Sequence, residues 1–325
     1  MKRAWAGLVV AAAFLAFPWI LSGPFYERMG ALALLYAISA SAWNLVGGYA
    51  GQISVGHAVF FGTGAYTALF VFNQWGLPPV TGVPLGILIS ILIAVVIGIP
   101  TLRLRGHYFA MATIAVAELV RILVANWPLV GAALGLGGPM VPRTWLDLSF
   151  RSPIPYYYMF LGVLALLLWI TWQIERSRMG YYLRSINGDE RAARSLGVPV
   201  HRYKLYTYML SASFTALAGA LYVLMVGFID PDSGFGILVS VEMIIMAALG
   251  GAGTLFGPLL GAIILVPLKE TTNTLFGGAG TGITYVVYGG IIMLLARYRP
   301  RGLMGIWHDF AERRLQPRER DYRAA

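Results

Sequence analysis

Apolar runs separated by short interruptions of charge, glycine or proline recur along almost the whole 325-residue chain. They fall near 5–21, 30–46, 53–72, 84–101, 108–126, 156–174, 205–228, 238–250, 255–270 and 282–297. About 20 apolar residues in a helix cross a hydrocarbon core of ~30 Å. The pattern therefore predicts an all-α polytopic membrane protein with about ten transmembrane helices, two of them short. The interruptions supply an orientation. Lys2 and Arg3 place the N-terminus inside, because positive loops stay in the cytoplasm. Counting crossings from there puts Arg103 and Arg105, the 175–204 loop and the tail after Arg297 inside, and the acidic turn Asp230/Asp232 outside. The expected topology is N-in and C-in, with a single transmembrane domain over 1–297 and a basic cytoplasmic tail over 298–325. Residues 1–21 read as a retained first helix, since no A-x-A cleavage site follows the apolar run.

Composition supports this picture. Hydrophobic residues make up 58% of the chain and charged residues 12%, against roughly 25% charged in soluble domains. Mean hydropathy is +0.71. The 39 glycines suit a helix bundle in lipid, where small residues let backbones approach. Cysteine is absent, which excludes disulfides and thiolate metal sites. The formal charge of +10 could suggest a nucleic-acid partner. The basic residues sit in loops and tail, however, so membrane lipid and the positive-inside bias account for them, and no nucleic acid is expected.

The most polar stretch is 175–204. Seven basic residues (Arg176, Arg178, Arg184, Arg191, Arg194, Arg202, Lys204) face three acids (Glu175, Asp189, Glu190). Within it, Asp189 suits a helix N-cap and Glu190 the positive helix start. Arg194 suits the helix end, Gly197 the C′ position, and Pro199 blocks continuation. A cytoplasmic helix of about two turns results, with Ala192, Ala193 and Leu196 on one face and Arg191, Arg194 and Ser195 on another. Such a helix fits a groove of a soluble partner, or rests on lipid headgroups through its arginines; spacing alone leaves both open.

Catalytic chemistry is poorly represented. A phosphate-binding loop needs Gly before its Lys, yet Met1, Tyr203 and Leu268 precede the three lysines. ATP energy must come from another chain. The four histidines are scattered, so no metal cluster is expected, and no enzyme or cofactor is predicted. Ser54 and His57, at i,i+3 beside Gly51 and Gly56, read as parts of a packed helix rather than a nucleophile pair. Ionisable residues within spans invite a functional reading. Glu118 and Arg121 can form an intramembrane ion pair along one helix face. Glu242 has no local partner. Lys269 and Glu270 are expected to snorkel at an outer end.

Two glycine clusters interrupt the helical pattern, Gly47-Gly48-Tyr49-Ala50-Gly51 and Gly250-Gly251-Ala252-Gly253. They fit an internal repeat whose broken helices line a path, and equally fit close helix packing. Gln52, Ser54, His57, Thr63 and Glu242 are the candidate path-lining side chains.

Glu190-Arg-Ala-Ala-Arg-Ser-Leu-Gly197 resembles the E-A-A-x-x-x-G coupling motif of ABC-importer permeases, with an extra residue after the Glu. Over nearly its whole length the chain resembles the LivM-type permeases of branched-chain amino acid ABC transporters. The stretches that carry this are Asn44-Leu-Val-Gly-Gly-Tyr-Ala-Gly-Gln-Ile-Ser-Val-Gly-His57, Arg105-Gly-His-Tyr-Phe-Ala-Met-Ala-Thr113, Ser177-Arg-Met-Gly180, Ala248-Leu-Gly-Gly-Ala-Gly-Thr-Leu-Phe-Gly-Pro-Leu-Leu-Gly-Ala262 and Pro300-Arg-Gly-Leu303. Leu134-Gly-Leu-Gly-Gly-Pro-Met140 follows the family's external loop only loosely. The resemblance implies a bacterial inner-membrane subunit working with a second permease subunit, two ATP-binding cassette ATPases and a periplasmic substrate-binding protein. It also implies that Asp189, Glu190, Ala192, Ala193, Leu196 and Gly197 couple to the ATPase. Similar permeases carry urea, short amides or aromatic acids, and an ion-coupled secondary transporter is the alternative from another class.

Overall fold

The computed structural model describes residues 12–21, 23–138 and 147–275, with single positions at 286, 289, 290 and 293 and the stretch 302–305. The tail beyond 305, most of the tenth predicted span and the beginning of the first lie outside the described residues. So does 139–146 of the external loop.

The described chain is mostly helical. A helical stretch over 12–20 precedes α1 (Pro24–Asn44), which runs on into a π-helical turn, Leu45–Tyr49. Then come α2 (Ala58–Trp75), α3 (Pro79–Thr101), α4 (His107–Ala125) and α5 (Ile154–Arg176). Two connector helices follow, α6 (Arg178–Gly188) and α7 (Glu190–Ser195), before the long α8 (Val200–Val226). A short α9 (Pro231–Phe235) leads into α10 (Ile237–Gly250), and α11 (Gly257–Leu275) follows a break. The strands β1 (Leu136–Gly137) and β2 (Phe228–Ile229) form a two-residue antiparallel ladder, Leu136 opposite Ile229.

Small residues decide the packing. On α3 the buried positions are Pro79, Gly82, Gly86, Ser90, Ala94, Gly98 and Thr101, a stripe at three- and four-residue spacing. That stripe lets α3 lie close on α2 and α8, as expected where dispersion rather than hydrophobic exclusion drives helix association. At the α2–α8 crossing the backbones nearly touch. A β-carbon at Gly64 would overlap the carbonyl of Ala216, and one at Gly219 would overlap that of Phe61. The central helix is α1, buried from Gly30 to Asn44 apart from Tyr36 and packed against α5, α8, α10 and α11. By contrast α4 buries only Phe109, Thr113 and Ala117.

Six described segments are long and apolar enough to cross a membrane: Pro24–Tyr49, Pro79–Thr101, His107–Ala125, Ile154–Arg176, Val200–Val226 and Pro231–Gly250. Two further helices, α2 with 18 residues and α11 with 19, are of spanning length but carry polar residues at their C-terminal ends: Asn73 and Gln74, and Lys269 and Glu270. The predicted span 53–72 is displaced, because residues 51–57 are not helical and α2 begins at Ala58. Gly51, at φ +67°, turns the chain out of the π-helical segment. Ser54 and His57 therefore lie on this unwound segment rather than on a helix. Lys269 does not snorkel outward; it binds Glu242 across the α10–α11 pair.

Replacing Gly219 with Val should force α2 and α8 apart. Overpacking of this kind costs about 1–3 kcal/mol. The check is the thermal unfolding midpoint in detergent, which should fall; an unchanged midpoint would show that the crossing has slack.

Candidate functional site

Three irregular pieces of backbone meet in the part of the bundle nearest the connector: the π-helical turn, the unwound segment 51–57 and the break between α10 and α11. In hydrocarbon, non-helical backbone is tolerated only where protein or a water-filled cavity answers its polar groups. Here side chains answer many of them. Trp43 Nε1 donates to the carbonyl of Ser54 (2.7 Å), and the Val55 amide donates to Thr113 Oγ1 (3.0 Å). The Ala58 amide donates to Ser240 Oγ (2.8 Å), and the Gln52 amide to the Val46 carbonyl (3.0 Å). Helices α1, α4 and α10 thus hold the unwound segment in place.

Asn44 joins this segment to the second break. Its Nδ2 donates to the carbonyl of Thr254 (3.0 Å), and its Oδ1 accepts the amide of Gly253 (2.7 Å). Gly48 lies one helical turn on and has no room for a side chain, since a β-carbon there would overlap the Gly253 nitrogen. The two glycine clusters seen in the sequence are therefore in contact.

Of the candidate path residues, Gln52, Ser54 and His57 share the unwound segment and all are buried. His57 Nδ1 lies 3.1 Å from Ser54 Oγ and Nε2 lies 2.8 Å from Ser211 Oγ. Ser211 Oγ donates its own proton to the Ala42 carbonyl (2.6 Å), so it accepts from His57 Nε2–H. His57 then carries its proton on Nε2 and receives one from Ser54 at Nδ1. Ser211 is eleven residues past Val200, about 16 Å along α8 at 1.5 Å per residue, which places this chain of hydroxyl and imidazole groups well inside the bundle. The side-chain oxygen Oε1 of Gln52 is buried and has no hydrogen-bond partner among the described residues. Thr63 bonds its own helix at Val59 O (2.7 Å). Glu242 belongs elsewhere: it pairs with Lys269, whose ammonium lies 5.3 Å from the Tyr36 ring, and so ties α10 and α11 to α1.

The connector reaches the same place. Asn187 of α6 donates to the Gly48 carbonyl (3.0 Å), and the Tyr49 hydroxyl donates to Glu175 at the end of α5 (2.6 Å). Helix α6 is packed through Gly180, Leu183 and Ile186 and capped by Ser177. Asp189 caps α7 by accepting from the amides of Arg191 (2.7 Å) and Ala192 (3.1 Å), and Gly197 adopts φ +81°. Those amides, Ala192 first, hold the Asp189 carboxyl below the ordinary carboxylate range. The three apolar positions of α7 do not act alike. Ala193 is buried against Ile186 and Val200, whereas Ala192 and Leu196 are exposed, Leu196 to 82%. Glu190 binds Lys204 (2.7 Å), Arg194 (2.9 Å) and Arg105 (3.5 Å). Burial pushes its carboxyl up, but the Lys204 hydrogen bond and the charges of Lys204, Arg105 and Arg194 outweigh this and leave it low.

Glu118 and Arg121 form their ion pair on α4, and Arg121 also binds Asp232 of α9 (2.7 Å). At the end of the bundle away from the connector, a polar cavity of about 340 Å³ lies among Gly138, Asp147, Ser149, Tyr156 and the last residues of α8. Among the described residues no group of His, Cys, Asp and Glu could hold a metal ion. Asn44, Thr113, Asn187, Ser211 and Ser240 were not candidates on sequence. Asn187-Gly188 reads locally as a turn, and the serines and threonines sit in largely apolar helices with nothing in the local sequence to mark them.

Residues 26–296 match a family described as the branched-chain amino acid transport system permease component. The chain is 30% identical over 324 residues to the high-affinity branched-chain amino acid transport system permease protein LivM of Escherichia coli strain K12, covering 91% of this chain and 74% of that one. It is 25% identical over 285 residues to the permease protein BraD of Pseudomonas aeruginosa, covering 83% and 91%. A shorter match, 27% over 154 residues, is to the ribose import permease protein RbsC of Escherichia coli strain K12, covering 46% and 47%.

Asn44→Ala should leave the Gly253 amide and the Thr254 carbonyl without their side-chain partner, at about 1–3 kcal/mol for each buried group left unmet. Hydrogen exchange at 251–256 in the purified protein should accelerate. Unchanged protection would show that Asn44 does not hold the break.

Proposed function

The chain belongs to the permease-component family of branched-chain amino acid transport systems, and from that premise we propose that it is the membrane subunit through which branched-chain amino acids are imported. It works in the bacterial inner membrane with a second permease subunit, two ATP-binding cassette ATPase subunits and a periplasmic binding protein that delivers the substrate. It is N-in and C-in, with about ten spans, and 175–204 faces the cytoplasm. The ATPases hydrolyse ATP; this chain, without a phosphate-binding loop, converts their motion into opening and closing of the path.

The observation that supports this most is the grip of the connector on the broken helices. An ATPase that seats Leu196 and Ala192 in a groove moves α7, and α6 moves with it. Asn187 then draws on the Gly48 carbonyl, and Asn44 passes the displacement to Gly253 and Thr254. The unwound segment, with Gln52, Ser54 and His57, is the part of the path that this motion exposes or covers. A zwitterionic amino acid passing there meets polar side chains in an otherwise apolar bundle. Ala193 and Gly197 hold the shape of α7, Asp189 holds its start, and the Glu118–Arg121 pair steadies α4 against α9.

Two measurements test this. Leu196→Asp should remove most of the ATPase subunits that co-purify with the permease pair; full retention would sink the docking role. In proteoliposomes holding the whole complex, ATP should drive uptake of leucine well above that of urea, short amides or aromatic acids. A preference for one of those would reassign the substrate, and ion-driven uptake by this chain alone would overturn the ATP-driven reading.

A further inference from the structure

Glu190 is the first residue of α7, where the motif resemblance would have it face the ATPase. Its carboxylate faces the other way. The side chain is only 14% exposed, and one oxygen lies 2.7 Å from the ammonium of Lys204, a side chain with no solvent exposure on the second turn of α8. The other oxygen lies 2.9 Å from Arg194 of α7 and 3.5 Å from Arg105, in the turn between α3 and α4. One carboxylate therefore meets three cations from three parts of the chain. Two of these parts, α8 and the α3–α4 turn, lead directly into spans.

The surroundings bury this contact. A buried ammonium needs a partner, because removing one member of a buried pair leaves an uncompensated charge. Lys204 thus anchors Glu190, and Glu190 anchors α7. The apolar cluster of Ile186, Ala193 and Val200 closes the same joint from below. Leu196 and Ala192, on the exposed side of α7, remain free for a partner.

We infer that Glu190 is a positioning residue: it clasps the coupling helix to α8 and to the α3–α4 turn, so that force received at Leu196 is transmitted to two spans, and it makes no contact with the ATPase. This rests on the reading of α7 as the coupling helix, and divides its residues into an outward docking face and an inward joint. A six-residue helix is too short to be stable alone, so without the clasp it would yield to the ATPase rather than carry the bundle with it.

The test is a double-mutant cycle in the complete complex, reading ATPase co-purification and the amount of leucine taken up per ATP hydrolysed. Glu190→Gln and Lys204→Met should each leave co-purification intact and lower the uptake ratio about five-fold, equivalent to about 1 kcal/mol of coupling. The combined variant should be no worse than the more damaging single variant, because both remove one interaction. Loss of the ATPase with Glu190→Gln, an unchanged ratio, or losses that multiply in the combined variant would each overturn the clasp. If Lys204→Met does not fold, the same cycle with Arg105→Gln decides by the same criteria. Leu196→Asp separates the two ideas: if it retains the ATPase, the docking reading fails whatever Glu190 does.

Discussion

A backbone that leaves the helix inside a membrane must have its amides and carbonyls answered by protein or by enclosed water. That requirement organises this molecule. Residues 51–57 and 251–256 both leave the helix, and Asn44, Trp43, Thr113 and Ser240 from three helices answer them. The answering groups lie on largely apolar helices, each placed where an amide or carbonyl of the unwound backbone needs it. The cost of a missing partner, about 1–3 kcal/mol, is large beside the 5–15 kcal/mol that holds a typical domain together. These sites are therefore fixed by the partners that answer them.

Around them the bundle is divided by stiffness. The α2–α3–α8 group is packed through glycine contacts that leave no space for a β-carbon. Helix α1 runs through the centre and ends in the π-helical turn, a form that is uncommon and is frequent at functional sites. Two polar contacts, Asn187 to Gly48 and Tyr49 to Glu175, bind that turn to the connector. The connector in turn is held to α8 and the α3–α4 turn by the Glu190 carboxylate. A push on α7 has two routes inward, one to the rigid group and one to the breaks.

Much of this was legible in the sequence, and what was not has a physical reason. Periodicity and hydropathy located the long helices, since burying about 20 apolar residues leaves an unmistakable run. Asp189, Gly197 and Pro199 marked α7 because caps act locally. Helix α6 was missed: its Tyr181, Arg184 and Asn187 look like loop residues, and only the Gly180, Leu183 and Ile186 spacing hinted at a packed face. The start of α2 was misplaced because Ile53 and Val55 are as apolar as helix residues, and the unwinding is imposed by Gly51 together with partners on distant helices. Glu242–Lys269 and Glu190–Lys204 join residues 27 and 14 positions apart, beyond the reach of helical spacing rules. The paired glycine clusters were visible; that Asn44 bridges them was not, because its role exists only in the folded chain.

The central claim is that the connector drives the broken helices by its hold on the π-helical turn. Asn187 is exposed on α6 and makes that hold through one hydrogen bond to Gly48. The direct measurement is leucine uptake per ATP hydrolysed in proteoliposomes containing the complete complex with Asn187→Ala. The account predicts that ATP hydrolysis continues while uptake per ATP falls several-fold. An unchanged ratio in a correctly assembled complex would contradict it.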